Sequence, residues 1–383
     1  MITGNVPSRV RRTVMTVPAV FSDATSSQDV VAQVRALAKT RLRPLAGEID
    51  LKGRYPKELL RAFGSAGAFA QHQEGLSDSG RIDLSTAIES MAAIAEECGS
   101  TAFCTWCQDA CGWYLQNTEN AALRERLRKD VAFGRVLGGT GLSNPMKSLS
   151  GIEPLKLSGR RVNGGYEVSG ILPWVSNVED GHFFAVVFAD AADSSRLLMA
   201  LVEAGKNAEL RHNARFMALE GTATRAAAFK NAFVPDAMIL ADPAEPFARR
   251  IRPGFVLLQT GIALGIIRAS LAAMRELANA AGGTNAFVAN GPAEIEERLA
   301  KLTDAIHRAA ATPFEATPEY RRLLLGTRLE AAELGLAAAQ SAMLHAGASG
   351  YVEGAAANRR LREAYFVAIL TPSIKHLRKD LAS

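Results

Sequence analysis

Three kinds of sequence follow one another along the chain, and their order is the strongest constraint on its fold. Apolar residues recur at helical spacing from residue 28 to residue 129. Short segments rich in β-branched and aromatic residues, separated by turn residues such as Asn163-Gly164, occupy residues 133–240. Long Ala/Leu-rich segments then follow to the end. We therefore predict an α+β multidomain fold with an N-terminal all-α domain, a middle antiparallel β-barrel or sandwich, and a C-terminal four-helix bundle.

The same transitions set the expected boundaries. We predict an N-terminal arm at residues 1–26, a helical domain at 27–132, a β domain at 133–242 and the C-terminal bundle at 243–383. Strands are expected at 161–168, 182–187, 197–202 and 226–233, because these segments are short and end in turn residues. Bundle helices are expected at 254–278, 293–311, 318–346 and 355–370.

Composition narrows the class of protein without indicating a function. The chain has 383 residues, of which 48% are hydrophobic and 22% charged, as in a globular protein that can bury large cores. It contains no run of 18 or more apolar residues, so we expect no membrane span and a cytoplasmic protein. The net charge of +5 suits an anionic ligand, and it would suit nucleic acid if the basic residues shared one face.

Four cysteines lie close together, at positions 98, 104, 107 and 111. The pair Cys104-x-x-Cys107 is compatible with a metal or iron–sulfur site. The spacing of Cys104, Cys107 and Cys111 is also that of one buried helix face, and no glycines flank them to fold the backbone around an ion. We favour structural thiols and expect no metal.

Several motifs, spread in order over nearly the whole chain, resemble those of one family. They are Tyr55-Pro56 with Leu59-Leu60 and Gly67, then Gly221-Thr222-x-Thr224 with Val234-Pro235, then Gly350-Tyr351, and finally Arg359-x-x-Arg362-Glu363-Ala364. In this order they resemble the acyl-CoA dehydrogenase superfamily. The resemblance implies a flavin-dependent oxidoreductase acting on an acyl thioester or a related small organic molecule, and it implies the three-part fold predicted above.

The resemblance also implies a flavin site. In the family, a Trp-x-Ser/Thr run after a strand packs on the flavin ring, and here it reads Trp174-Val175-Ser176, with the Ser176 hydroxyl expected to donate towards the ring. Leu142-Ser143 stands where the family contacts the pyrimidine side of the flavin. The expected cofactor is FAD, with FMN as the alternative. The expected cofactor-binding residues are Leu142, Ser143, Trp174, Val175, Ser176, Gly347 and Ser373. A core tryptophan beside a turn serine remains the other interpretation of this segment.

The family's catalytic base is missing. Its members remove a substrate α-proton with a glutamate soon after the R-x-x-R-D-A motif, and Thr371 stands at that position. A minority of the family has the base on the first bundle helix, where this chain has Phe255. The catalytic residue is therefore unknown. The residues expected to contact substrate are Gln108, Ser150, Phe255, Gln259 and Thr371.

These departures leave three functions open. The first is an acyl-CoA dehydrogenase-type enzyme with an electron-transfer flavoprotein as partner. The second is a two-component flavin monooxygenase, which receives reduced flavin from a reductase and needs no α-proton base. The third is a non-catalytic member of the fold that binds nucleic acid through arginines of its last helices. The uniformly apolar bundle helices and the resemblance both imply a homodimer or homotetramer.

Overall fold

The computed structural model describes residues 27–212, 214–278 and 281–382, so the predicted arm at residues 1–26 lies outside the described residues. The N-terminal part is helical. Its helices are α1 (Ser27–Leu37), α2 (Ala46–Lys52), α3 (Lys57–Ser65), α4 (Leu84–Ala95), α5 (Gly99–Asn117) and α6 (Ala121–Ala132). A π-helical turn and a 3₁₀ turn fill residues 38–45, so the helical path continues past Pro44. Asp83 and Asn120 cap α4 and α6 by accepting backbone N–H groups.

The middle part of the described chain is one sheet. Its strands are β1 (Gly138–Thr140), β2 (Leu157–Val162), β3 (Gly165–Val175), β4 (Phe183–Asp190), β5 (Leu197–Glu203), β6 (Glu209–Arg211), β7 (Arg225–Pro235) and β8 (Ile239–Ala241). They lie in the order β6-β7-β3-β2-β4-β5-β8, with β1 beside β4. A short helix, α7 (Ser143–Leu149), lies between β1 and β2 along the chain.

Two features of this sheet correct the sequence-based expectation. The sheet is mixed rather than wholly antiparallel, since β1 and β2 both run parallel to β4. Both strands reach β4 through intervening segments, and parallel pairing requires such a crossover in place of a tight turn. The segment 161–168 is not one strand but the tip of the β2–β3 hairpin, because Asn163-Gly164 turns the chain with Gly164 at a φ of 76°.

The C-terminal part returns to helices. They are α8 (Ala244–Leu258), α9 (Thr260–Glu276), α10 (Pro292–Ala311), α11 (Pro318–Ala346), α12 (Ala348–Tyr351), α13 (Ala356–Ile369) and α14 (Ile374–Ala382). Helices α9, α10, α11 and α13 pack together, with α9 and α11 each touching the other three. The predicted fold, with its helical, strand and helical parts in that order, is therefore confirmed.

Helix α5 lies at the centre of the molecule. Its residues are buried along nearly the whole length, because α4, α6, α8, α9 and strand β1 all pack on it. Cys98, at its N-cap, and Cys104, Cys107 and Cys111 within it are free thiols in this core. Burial raises the pKa of each thiol, to about 11 for Cys98 and about 12 for Cys111. At neutral pH the four side chains are therefore protonated and pack as small apolar groups.

Polar contacts join the three parts. Arg362 on α13 donates through Nη1 to Asp50 on α2, at 2.8 Å. Next to it, Glu363 accepts the Gly99 N–H at the start of α5, at 2.9 Å, and burial raises the pKa of this carboxyl. Between the N-terminal helices and the sheet, the Tyr55 hydroxyl donates to Asn177 at 2.7 Å. These contacts fix the helices and the sheet around a common centre.

One helical stretch of the described residues is long and apolar enough to cross a membrane. It is Ala244–Glu276, which comprises α8 and α9 and has a mean hydropathy of 1.7 over its most apolar window. Of that window, 89% is buried inside the protein. Its apolar surface is thus already covered by α4, α5 and α11, as in the core helix of a globular protein.

We expect Gly265→Ala to destabilise the protein. A Cβ at Gly265 on α9 would lie 2.3 Å from the Ala92 carbonyl oxygen and 2.4 Å from the Ala95 Cβ on α4. Overpacking of this kind costs about 1–3 kcal/mol. The control is Gly326→Ala on α11, where no atom lies within 4 Å and the better helix propensity adds up to about 1 kcal/mol. Thermal unfolding midpoints measure both, and equal midpoints for the two variants would contradict the close α4–α9 contact.

Candidate active site

A cavity of about 630 Å³ opens beside α5, between the sheet and the bundle. Its volume is that of a pocket for a medium-sized organic ligand. The described residues that form its wall are Phe103, Trp106, Cys107, Thr140, Ser143, Lys147, Trp174, Ser176, Phe216, Met217, Ala218, Leu219, Thr222, Thr224, Phe255, Arg362, Tyr365, Phe366, Ile369, Leu370 and Thr371. Most of this wall is apolar, with hydroxyl groups concentrated on the side of the sheet.

The hydroxyl groups on the sheet side form a directed chain. Thr222 Oγ1 donates to the Leu219 carbonyl oxygen at 2.7 Å. The Thr224 Oγ1 atom lies 2.8 Å from Thr222 Oγ1 and 2.7 Å from Ser176 Oγ. Because each hydroxyl has one proton, Thr224 donates to Thr222 and Ser176 donates to Thr224. In this arrangement Ser176 presents oxygen lone pairs to the cavity, whereas the sequence suggested that it would act there as a donor.

Thr140 adds a second polar point on the same side. Its Oγ1 accepts the Leu142 backbone N–H at 3.3 Å and lies 2.8 Å from the Tyr114 hydroxyl. Tyr114 is fully buried behind it, and burial raises the pKa of this phenol well above its usual value. Tyr114 is therefore neutral and holds the Thr140 side chain in a fixed orientation.

Trp174 lies at the edge of this polar side and is only partly covered. The side chain is 43% exposed although it lies next to the last residue of a long central strand, β3. Its contact in the loop before β7 is the Phe216 ring, at a centroid distance of 5.5 Å and an interplanar angle of 64°. An indole left half open on a cavity wall offers an aromatic face to a planar ligand.

The opposite side of the cavity is aromatic. Phe103 and Trp106 on α5 stack at 5.5 Å, Phe366 on α13 meets Phe103 edge-on at 4.6 Å, and Phe255 on α8 meets Trp106 edge-on at 5.0 Å. The Trp106 indole N–H donates to the Phe255 carbonyl oxygen at 3.2 Å. This side therefore suits an apolar or aromatic group of a substrate.

Between the two sides lies Thr371, in the segment after α13. Its Oγ1 is 3.1 Å from Ser143 Oγ, and its carbonyl oxygen accepts the Gln259 side-chain N–H at 2.9 Å. Gln259 is held in turn by Arg328, because Arg328 Nε donates to the Gln259 side-chain oxygen at 2.8 Å. The Nη2 atom of Arg328 donates to the Val367 carbonyl oxygen, also at 2.8 Å. Arg328 is fully buried, and this lowers its pKa to about 10.

The charged groups of the wall are cationic. Among the residues described, Lys147 and Arg362 line the cavity and no carboxylate does. Arg362 is paired with Asp50. Lys147 lies 3.6 Å from Glu153, whose carboxylate also accepts the Asn144 side-chain N–H at 2.9 Å. The described part of the cavity wall thus contains hydroxyl groups and cations, but no carboxylate that could act as a base at neutral pH.

Comparisons with known proteins agree with one another. The family model described as "Acyl-CoA dehydrogenase, N-terminal domain" matches residues 25–135. A curated relative, benzylmalonyl-CoA dehydrogenase of Aromatoleum aromaticum, is 27% identical over 360 residues, which cover 91% of this chain and 94% of the relative. Butyryl-CoA dehydrogenase of Megasphaera elsdenii has a similar structure, with a TM-score of 0.83, 18% identity and coverage of 96% and 99%. The chain therefore has the acyl-CoA dehydrogenase fold, and its N-terminal part matches the model of that family.

Two further structures show how widely this fold is used. A glutaryl-CoA dehydrogenase from Mycobacterium smegmatis, solved in complex with FADH2, has a TM-score of 0.74 at 17% identity, with coverage of 93% of each chain. Dibenzothiophene monooxygenase from Paenibacillus has a TM-score of 0.77 at 17% identity, with coverage of 93% and 96%. Enzymes with dehydrogenase and monooxygenase names therefore share the fold of this chain.

The structure brings together only some of the site residues that the sequence suggested. Ser143, Trp174, Ser176, Phe255 and Thr371 line one cavity, and Gln259 holds the Thr371 carbonyl from behind. The other six lie outside the cavity wall: Gln108, Leu142, Ser150, Val175, Gly347 and Ser373. Leu142 and Val175 are buried in the core.

Three of these six residues have other structural roles. The Gln108 amide donates to the Val131 and Val136 carbonyls and accepts the Gly138 N–H, so it joins α5 to α6 and β1. Ser150 accepts the Lys379 ammonium through its carbonyl oxygen at 2.8 Å. Gly347 ends α11 with a φ of 56°. None of the three belongs to the described cavity wall.

Other residues of the cavity wall or of its support were not predicted from the sequence. Thr222 and Thr224 belong to the Gly221-Thr222-x-Thr224 motif, but the sequence did not predict a role for their hydroxyl groups. Thr140 and Arg328 had no distinguishing signal in the sequence, because their positions depend on contacts with distant residues.

His345 and His376, the histidines on the last helices, lie outside the cavity wall. His345 Nδ1 contacts the Ser341 carbonyl at 2.8 Å, and the pKa of His376 is lowered by burial.

We expect Arg328 and Gln259 to be energetically coupled. Arg328→Met leaves two buried carbonyl oxygens without a donor, at a cost of about 1–3 kcal/mol each. Gln259→Met removes the donor to Thr371 and also one of the groups that Arg328 satisfies. The double variant should therefore lose less stability than the sum of the single variants, by about 1 kcal/mol or more. Unfolding free energies of the four proteins test this coupling.

Arg298→Met is the matched control for loss of an arginine. Arg298 on α10 pairs with Glu330 on α11 at 2.9 Å, and both side chains are about one-third exposed. Such a pair contributes at most about 1 kcal/mol. Additive effects of Arg328→Met and Gln259→Met, or equal losses for Arg328→Met and Arg298→Met, would contradict the proposed buried connection to Thr371.

Proposed function

We propose that the chain is a flavin-dependent oxidoreductase that acts on an acyl thioester or a related small organic molecule. One observation carries the proposal: the cavity has a half-open indole and a row of hydroxyls on one side, and an aromatic wall on the other. This arrangement accommodates a planar redox cofactor and an apolar substrate side by side. The match of residues 25–135 to the acyl-CoA dehydrogenase family model supports the same conclusion.

The residues present fit a flavin. Its tricyclic ring is flat, largely apolar and rich in hydrogen-bonding atoms at one end, so it needs an aromatic surface with a few polar groups near its rim. Trp174 supplies the surface, and Ser143, Thr140 and Ser176 supply hydroxyls on the same side of the cavity. FAD is the form we propose, since a similar structure contains FADH2. When bound, the flavin supplies the two-electron oxidant.

The protein groups bind, orient and exclude water. Phe103, Trp106, Phe255 and Phe366 cover the acyl group and keep the reacting carbons in an apolar environment. The Thr371 and Ser143 hydroxyls are hydrogen-bonded to each other, so one proton of the pair remains to be donated to a polar substrate atom between the two sides. An acyl thioester is our preferred substrate class. The curated relative from Aromatoleum aromaticum, 94% of which aligns with this chain, is named for a CoA thioester.

A two-component flavin monooxygenase is the second candidate. It is favoured by the absence of a carboxylate from the described cavity wall, because such an enzyme needs no base for an α-proton. Its partner would be a flavin reductase, in place of the electron-transfer flavoprotein that suits a dehydrogenase. Oxygen-dependent NADH consumption with an added reductase, together with an oxygenated product, distinguishes it from the first candidate.

We also propose that the enzyme is a homodimer or homotetramer assembled through the bundle. Large apolar side chains are exposed near the C-terminal end of α11: Leu344 at 58%, Tyr351 at 80% and Val352 at 62%. Phe287, in the neighbouring segment between α9 and α10, is 90% exposed. A surface of this kind favours contact with a second copy of the same chain.

Trp174→Ala should weaken flavin binding by at least about tenfold. The loss removes an aromatic contact and its buried apolar area, which together contribute about 1.5–3 kcal/mol. The measurement is titration of the purified protein with FAD, followed by flavin fluorescence. Phe233→Ala is the control, because Phe233 on β7 is exposed to a similar extent, 48%, and lies outside the cavity wall. An unchanged FAD affinity in Trp174→Ala would remove Trp174 from the cofactor site.

Ordinary saturated acyl-CoAs should reduce the bound flavin of the unmodified protein very slowly. Without a general base, the loss in rate is about two to four orders of magnitude. Thr371→Glu places a carboxylate at the family position and should restore part of this rate, whereas Thr371→Gln, of the same size but without a base, should not. Anaerobic mixing with butyryl-CoA, followed by flavin absorbance, compares the three proteins. Rapid bleaching by the unmodified protein would show that another residue acts as base.

A further inference from the structure

The hydroxyl chain on the sheet side of the cavity has a fixed direction, and this direction limits what it can bind. A carbonyl oxygen can only accept, so Thr222 must donate to the Leu219 carbonyl, and its proton is used there. The protons of Thr224 and Ser176 are then used in turn, each on the hydroxyl before it. Ser176 can therefore accept a hydrogen bond from a ligand in the cavity, but it has no proton left to donate.

The backbone that begins this chain is held in an unusual conformation. Leu219 and Ala223 flank a short 3₁₀ turn, and both lie in the left-handed region, at φ of 65° and 45°. Residues with a side chain adopt this conformation only where their surroundings impose it. Here the Thr222 carbonyl accepts the Asn177 N–H at 2.9 Å, which ties the turn to the residue that directly follows Ser176. The first acceptor and the last hydroxyl of the chain are thus fixed relative to each other.

The two redox states of a flavin differ in the hydrogen-bonding atoms of the ring. The nitrogen of the central ring that takes up hydrogen on reduction carries a lone pair in the oxidised state and an N–H group in the reduced state. A hydroxyl that can only accept complements this N–H group, whereas its lone pairs face another lone pair when the ring is oxidised. A fixed acceptor therefore distinguishes the two states, and a freely rotating hydroxyl does not.

We propose that the chain from Leu219 through Thr222 and Thr224 to Ser176 makes the cavity bind reduced flavin more tightly than oxidised flavin. The inference rests on the flavin-dependent function proposed above. It assigns Thr222 and Thr224 as positioning residues that act through Ser176. Because binding and reduction are thermodynamically linked, tighter binding of the reduced form raises the reduction potential of the bound flavin.

A raised potential serves both candidate functions of the protein. In an oxidoreductase that acts on a thioester, the bound flavin becomes a stronger oxidant for the substrate. In a monooxygenase, reduced flavin that arrives from a reductase is retained by the cavity. The hydroxyl chain thus sets a property of the cofactor, whichever substrate the aromatic side of the cavity receives.

The affinities of the two forms of FAD test this inference directly. Fluorescence titration gives the dissociation constant of oxidised FAD, and anaerobic calorimetry gives that of reduced FAD. The reduced form should bind at least about tenfold more tightly, because it gains a hydrogen bond that the oxidised form cannot make. For a two-electron couple, this ratio corresponds to a potential about 30 mV above that of free FAD, which equilibration with a redox dye measures independently.

Thr222→Val removes the group that fixes the direction of the chain. The Leu219 carbonyl keeps a partner in this variant, because it also accepts the backbone N–H of residue 222 at 3.2 Å. Thr224 is then free to donate to Ser176, and Ser176 is free to donate to the flavin. The preference for reduced FAD should therefore fall to within about threefold of equal affinity. Thr222→Ser keeps the hydroxyl and should keep the preference.

Two further variants complete the test. Thr224→Val interrupts the chain at the next hydroxyl and should cause the same loss, so it replaces Thr222→Val if that protein is unstable. Thr105→Val is the control for replacing a buried threonine, and it should keep the preference. Thr105 on α5 is 1% exposed, lies outside the cavity wall, and its hydroxyl has no hydrogen-bond partner among the described residues.

The possible failures are distinguishable. Equal affinities for the two forms in the unmodified protein would overturn the inference and leave the proposed oxidoreductase in place. The same holds for a preference that persists in both Thr222→Val and Thr224→Val, or that is lost equally in Thr105→Val. A protein that binds neither form of FAD would instead contradict the proposed function itself.

Discussion

Burial of helix α5 is the constraint on which the rest of the structure depends. From Gly99 to Leu115 the helix is enclosed by the N-terminal helices, the sheet and the bundle, so the three parts of the chain share one core. Its start is fixed by Glu363, a carboxylate from α13 that caps its first N–H group. Because Phe103, Trp106 and Cys107 also lie on this helix, the packing that joins the three parts also forms one wall of the cavity.

The polar side of the cavity depends on groups that lie behind its surface. Tyr114 orients Thr140, and the Leu219 carbonyl sets the direction of the hydroxyl chain to Ser176. Arg328 and Gln259 together fix the position of Thr371. A buried guanidinium with only carbonyl partners is costly to desolvate, and Arg328 is held by two of them. Each supporting group fixes a hydroxyl or carbonyl before a ligand arrives, which reduces the reorganisation that binding requires.

The sequence predicted the order of the three parts, and it predicted the bounds of α11, because periodic apolar residues and turn residues are local signals. Five of the residues it suggested for the site lie on one cavity. The sequence could not predict features that depend on contacts between residues far apart in the chain. These are the mixed sheet, the roles of Thr140 and Arg328, and the position of Gln108. An arginine in an Ala/Leu-rich helix such as α11 gives no local indication that it is fully buried.

The supporting groups of the cavity are present even though its described wall contains no carboxylate, and this combination bears on the function of the cavity. A cavity that had lost its function would have no need to hold Thr371 through Gln259 and a buried Arg328, because a buried cation is unfavourable unless its contacts matter. The hydroxyls, the half-open Trp174 and the aromatic wall likewise remain directed at one volume. The arrangement is that of a preorganised ligand cavity, in keeping with the proposed flavin-dependent function.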